Sequence, residues 1–228
     1  MPEDHRCRPL DRLLSWALLC QCIGSLLIAA RDGEIVAVAG AVAAMIAALA
    51  AVLFMGRAAW VCAAWFALAA VIKAISGEQQ FSQLAPAAQA SRYALALAVA
   101  HPALAPVILR AAAALTFAAH GVEALGRHPQ FVAYIEYVFG LVGYAEQADV
   151  AAGVLRCIGV IDLVVAGAIL IPSSSIVAAK YMSVWGALTA VIRTVHGGFA
   201  GLPDTLVRVA NAAVPLGFLR ARRGDERR

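Results

Sequence analysis

The feature that most constrains this chain is a succession of apolar runs, each on the order of 20 residues and parted by short charged or Gly/Pro-containing breaks. A helix rises about 1.5 Å per residue, so a run of that length matches the roughly 30 Å hydrocarbon core of a bilayer. Eight runs can be marked, at about 13–30, 34–55, 58–77, 86–101, 105–125, 151–171, 176–196 and 203–219. The breaks carry residues that end helices, among them Arg31-Asp32-Gly33, Gly77-Glu78, His101-Pro102, Arg127-His128-Pro129 and Gly197-Gly198. The fourth and eighth runs are short. Only 14% of residues are charged against 63% hydrophobic, and the mean hydropathy is +0.82, too few charges to cover a water-soluble surface. The expected fold is therefore an all-α integral membrane protein with about eight transmembrane helices.

The net charge of +4 is concentrated at the ends. Arg6, Arg8 and Arg12 precede the first run, and Arg220, Arg222, Arg223, Arg227 and Arg228 follow the last. Such flanking clusters act as cytoplasmic anchors, which places both termini in the cytoplasm and the chain in a bacterial inner (plasma) membrane. No aromatic or basic groove pattern accompanies the charge, so nucleic acid is not an expected partner, whereas the lipid bilayer is. The first run reads as a signal anchor that stays, because no small-residue cleavage site leads into a soluble domain. Cys20, Cys22, Cys62 and Cys157 lie inside apolar runs, where cysteine behaves as a small hydrophobe. Cys20 and Cys22 point about 200° apart on a helix and do not form a pair.

An internal match organises the chain. The stretch from Trp65 to Gly77 and the stretch from Trp185 to Gly197 agree at seven of 13 positions at a constant offset of 120, with Lys73 facing Arg193. Each continues into a loop with an aromatic and a proline, Phe81 and Pro86 against Phe199 and Pro203. The expectation is two parallel four-helix repeats, a first unit over 1–104 and a second over 105–228. The second copy is longer by about 22 residues, which 130–150 supplies. There Phe131, Tyr134, Ile135, Val138, Phe139 and Val142 follow helical spacing along one face, predicting an amphipathic interfacial helix near 130–145.

Ionisable residues inside spans are costly and usually face a cavity or a partner. Thr116, His120, Glu123 and Arg127 form one stripe on the fifth helix. Thr189, Arg193 and His196 form another on the seventh, while Lys73 and Ser76 hold the matching places on the third. Asp162 lies near mid-span on the sixth, where it needs an arginine partner or a proton. The candidate ligand-binding residues are His120, Glu123, Arg193, His196, Lys73 and Asp162, converging near the outer face. No Gly-rich phosphate loop, His-Glu-x-x-His or Cys-x-x-Cys occurs, and no metal site is expected.

Arg110 followed by an apolar run and then by His120-Gly121-Val122-Glu123-Ala124-Leu125 resembles the first helix of DoxX-like proteins, a family of small four-helix membrane proteins. Arg12 with Gly24 echoes it in the first half, making this chain a tandem-duplicated variant. The resemblance implies a redox-associated or quinone-linked membrane subunit, with quinone as the implied ligand. The residues leave two other readings open, a small-solute or proton-coupled transporter and a non-catalytic structural subunit. Other membrane subunits, or further copies of the chain, are partners under these readings. The topology is tested by reporter fusions after Gly33 and at Arg228. They are expected to report opposite sides of the membrane, and the same side for both overturns it.

Overall fold

The computed structural model of the protein describes residues 8–53, 56–77, 80–144 and 148–225, and every regular element among them is helical. The first half holds α1 (Arg8–Asp32), α2 (Ile35–Leu53), α3 (Ala59–Ser76), α4 (Ala85–Ala88) and α5 (Ala90–Ala100). The second holds α6 (Ala105–Leu125), α7 (Pro129–Leu141), α8 (Ala148–Ala168), α9 (Ser175–Gly197), α10 (Leu202–Val207) and α11 (Val209–Asp225). Six stretches are long and apolar enough to cross a membrane: α1, α2, α3, the stretch through α6, α8, and the run Ser175–Arg223 that contains α9 to α11.

The fourth and eighth apolar runs are each broken in two. Pro86 and Pro203 sit in the first turns of α4 and α10, and the chain leaves helical geometry at Gln89 and Arg208 before α5 and α11 begin. At 11 residues, α5 spans only about 16 Å, short of a hydrocarbon core.

The four helices at the centre are α1, α5, α6 and α11. On one flank α2 packs on α1 and α3 on α5; on the other, α8 packs on α6 and α9 on α11. The halves also cross over, with α1 against α10 and α11 while α6 lies against α4 and α5. Alanine dominates the buried core, where Leu14, Leu18, Leu95, Leu109, Ile169 and Met182 supply most of the bulk. In lipid, helices gain little from hiding apolar surface, so close backbone approach through small residues supplies the association. Gly121 and Gly159 carry it furthest. A Cβ on either would lie 2.8–2.9 Å from the other's carbonyl oxygen, so α6 and α8 touch backbone to backbone.

Polar ties fix the ends. Arg110 Nε donates to the Ile169 carbonyl at 2.8 Å and its Nη2 to that of Leu170, capping the end of α8. Arg222 Nη1 donates to the Pro172 carbonyl at 3.0 Å, holding the same α8–α9 turn. Thr116, expected in a stripe with His120, turns away from it, accepting bonds from the Ser91 amide at 3.0 Å and hydroxyl at 2.9 Å and tying α6 to α5.

Gly121→Leu forces α6 and α8 apart, an overpacking cost of about 1–3 kcal/mol. The expected result is a lower melting temperature in detergent and a loss of monodisperse protein. Gly153→Leu, where an added Cβ meets nothing within 4 Å, is the control expected to leave both unchanged.

Candidate ligand-binding site

Local chemistry at the end of α6 builds the site. The His128 amide donates to the Glu123 carbonyl at 3.0 Å and the Arg127 amide to that of Ala124 at 3.1 Å, the paired bonds of a Schellman cap. Arg127 takes the left-handed conformation at φ 57, a place usually held by glycine. Pro129 then opens α7 with its fixed φ. The turn lays α7 over α8 and α9, aromatic face inward.

Under α7 lies a cavity of about 510 Å³. Phe131, Tyr134, Ile135, Val138 and Phe139 form its roof, the stripe visible in the sequence less Val142. Phe117, Leu155, Ile158, Leu188 and Ile192 give apolar walls from α6, α8 and α9. Its polar atoms come from His120, Asp162, Trp185, Thr189, Arg193, Arg208 and Asn211. The volume and mostly apolar lining are those of a site for a small organic molecule.

Three features define the polar wall. His120 Nδ1 lies 2.8 Å from Glu123 Oε2, a charge-assisted pair across one turn. With Nδ1–H engaged, Nε2 remains to meet a ligand. Arg193 is 6% exposed, stands over the Tyr134 ring at 5.2 Å and donates from Nη1 to the Thr189 carbonyl, while its Nε has no partner. Asp162 is 4% exposed with Oδ1 unpartnered. Of the two alternatives expected for it, an arginine partner or a proton, the first is not there: among the described residues no cation lies within ion-pair distance, and its polar neighbour is the Trp185 indole.

A second, polar chamber of about 70 Å³ adjoins the first. Lys73, Phe81, Arg92, Glu123, His128 and Gln130 line it, and it shares His120, Phe131, Arg208 and Asn211 with the large cavity. Phe81 is left-handed at φ 65, and its ring lies across Gly126, where a Cβ would meet it at 2.3 Å.

The six candidate residues are thus divided. His120, Asp162 and Arg193 line the cavity; Lys73, Glu123 and again His120 line the chamber. His196 lines neither, and is exposed between the rings of Tyr134 at 5.3 Å and Tyr137 at 4.9 Å. Arg92, Arg208, Asn211 and His128 belong to the site without having been singled out. The two arginines sit at helix breaks, where a sequence presents them as headgroup anchors. Cys22 has Cys62 of α3 as its thiol neighbour, both buried far from these walls in the first-half core. Comparison with protein-family models, with curated proteins and with solved structures finds no match.

His128 lies outside the spans, its ring 4.8 Å from that of Phe131 and 5.9 Å from that of Phe81. Burial holds it below the usual histidine value; Glu123 opposes the shift, while Lys73, His120 and Arg193 add to it. The unfolded chain therefore takes up this proton at higher pH than the folded one. The associated stability is present above the usual value of about 6.5 and is lost as pH falls toward the folded value. Thermal melts from pH 7.5 to 5 should show the melting temperature falling toward acid, with a shallower slope in His128→Gln. Equal slopes overturn the assignment.

Proposed function

We propose that the protein is a DoxX-like, redox-associated membrane subunit that binds a quinone-class molecule in the cavity under α7. The observation that carries this reading is the pairing of a long apolar cavity with a polar wall holding an engaged histidine and an arginine with an unpartnered donor. A quinone has an apolar ring and tail with two carbonyl oxygens. In this assignment Arg193 Nε donates to one of them. His120 Nε2 faces the other, accepting from the hydroxyl of a quinol or, when protonated, donating to the carbonyl of a quinone. Glu123 fixes the imidazole by taking its Nδ1–H.

The same reading takes the chain as eight crossings in two parallel four-helix units, with both termini in the cytoplasm of a bacterial inner membrane. Support comes from the element order, since each half runs through three long helices, a tight turn, a short helix and a final helix. It also explains why only the second half holds the cavity. In the first half the Trp65 ring fills the space between α2 and α3 so fully that a Cβ on Gly40 would lie 2.1 Å from it. In the second half α8 and α9 stand apart, roofed by the inserted α7.

The test is direct. Protein purified in a mild detergent is extracted and its lipids are identified by mass spectrometry, and titration with a short-chain quinone is followed by Trp185 fluorescence. Quinone retention and saturable quenching are expected. His120→Gln and Arg193→Gln each remove a charge-assisted bond of about 1.5–3 kcal/mol, weakening binding roughly tenfold to a hundredfold. Neither retention nor quenching by well-folded protein overturns the reading.

A further inference from the structure

The polar chamber beside the cavity has more positive charge than its own side chains neutralise. Lys73, Arg92 and Arg208 line it, and Arg193 lies near enough to act electrostatically on Arg92. Among the described residues Glu123 is the only carboxylate in the lining, and it is engaged by His120 at 2.8 Å. Asp204 stands 3.6 Å from Arg208 but is shared with Arg31, also at 3.6 Å. Among the described residues no carboxylate lies within ion-pair distance of Lys73, Arg92 or Arg193. The Arg92 guanidinium donates to the neutral Gln89 amide oxygen at 3.0 Å. Cations gathered away from bulk water need anions, and screening by salt is weak there.

One further observation points the same way. His128 Nδ1, in the same wall, is buried and unpartnered. It sits between Phe81, left-handed and with its ring 5.9 Å away, and the Arg127 cap. The size of the chamber sets the ligand. At about 70 Å³ it has room for roughly two waters at about 30 Å³ each, which suits a compact oxyanion and excludes a ring. Lys73 and Gln130 are exposed at its rim, giving access from outside the bundle.

We propose that Lys73, Arg92, Arg208 and His128 form a binding site for a single phosphate-type oxyanion beside the apolar cavity, with which it shares Arg208. Guanidinium groups present paired donors to such a group and the lysine adds a mobile point charge. The oxyanion comes either as free phosphate or as the headgroup of an anionic lipid, since the rim opens beside the α6–α7 turn at the end of the bundle.

The full chain, depleted of quinone, is purified in an uncharged maltoside detergent at low ionic strength and titrated with inorganic phosphate by calorimetry. In parallel it is placed in phosphatidylcholine nanodiscs with and without phosphatidylglycerol, and bound lipid is counted by native mass spectrometry. Saturable one-to-one phosphate binding supports the site with a free ion as ligand. Retention of one phosphatidylglycerol without phosphate binding supports it with a lipid headgroup as ligand. In either case Lys73→Glu, which changes an exposed side chain and leaves packing intact, should weaken binding at least tenfold, and Lys73→Arg should restore it. Arg92→Gln should act as strongly where the variant folds. Arg156→Gln, an exposed cation on α8, should change nothing. Binding of neither probe, or equal binding by Lys73→Glu and the parent protein, overturns the proposal. Quinone retention is not read in this experiment, so its failure and failure of the quinone reading are separate results.

Discussion

Close approach of small residues governs everything else in this molecule. A core built of alanine and glycine has little side-chain bulk with which to fill gaps, so its helices either touch at the backbone or leave space. At Gly121 and Gly159 they touch, and α6 and α8 behave as one rigid wall. Where α9 leaves that wall, nothing in the core is large enough to reach across, and the cavity follows. The first half meets the same geometric problem with Trp65 pressed onto Gly40. The difference between a packed half and a hollow one therefore turns on the spacing of two helices and on the helix laid over them.

Charge is placed by the same constraint. A polar side chain in an apolar span is stable only against a partner or a cavity, because no water reaches it. Several polar residues of the spans use the first course: Thr116 with Ser91, Thr205 with Thr194 at 2.7 Å, and Arg110 with the end of α8. Asp162, Arg193 and Asn211 retain unpartnered atoms, and all three line the large cavity. Unmet hydrogen-bonding capacity is thus concentrated there, although among the described residues Gln21 Oε1 on α1 and His128 Nδ1 in the chamber are also buried without a partner.

The long helices are legible in the sequence because run length against bilayer thickness is a strong physical filter. The α7 stripe is legible for a similar reason, since its aromatic spacing has no competing interpretation once the breaks at Arg127–Pro129 and Gly143 are seen. His120 with Glu123 is visible because residues three apart on a helix share a face. Pairings between distant segments are not visible this way. Cys22 against Cys62, Ser91 against Thr116 and Arg92 near Arg208 depend on which helix neighbours which, and a single chain carries no record of that. Arg92 and Arg208 are hidden twice over, because a basic residue beside a helix break looks like an anchor whether it meets lipid or a chamber.

Helix α7 shows how wall and site depend on one another. None of its residues is fully buried, so packing alone holds it weakly. Its attachments include the site's own groups, Phe131 against His120 and His128 and Tyr134 against Arg193; beyond the site, Tyr134 and Tyr137 meet the His196 ring and the Tyr137 hydroxyl donates to the Val195 carbonyl at 3.0 Å. The cation–π contact of Arg193 contributes on the order of 1 kcal/mol, a share that matters for an element with so little buried surface. Phe131 borders both the cavity and the chamber, and so do His120, Arg208 and Asn211. His120, His128 and Arg193 therefore both face the site and hold the roof in place. A change in their bonding acts on the roof directly, through contacts of one residue's length, with no pathway through the alanine core.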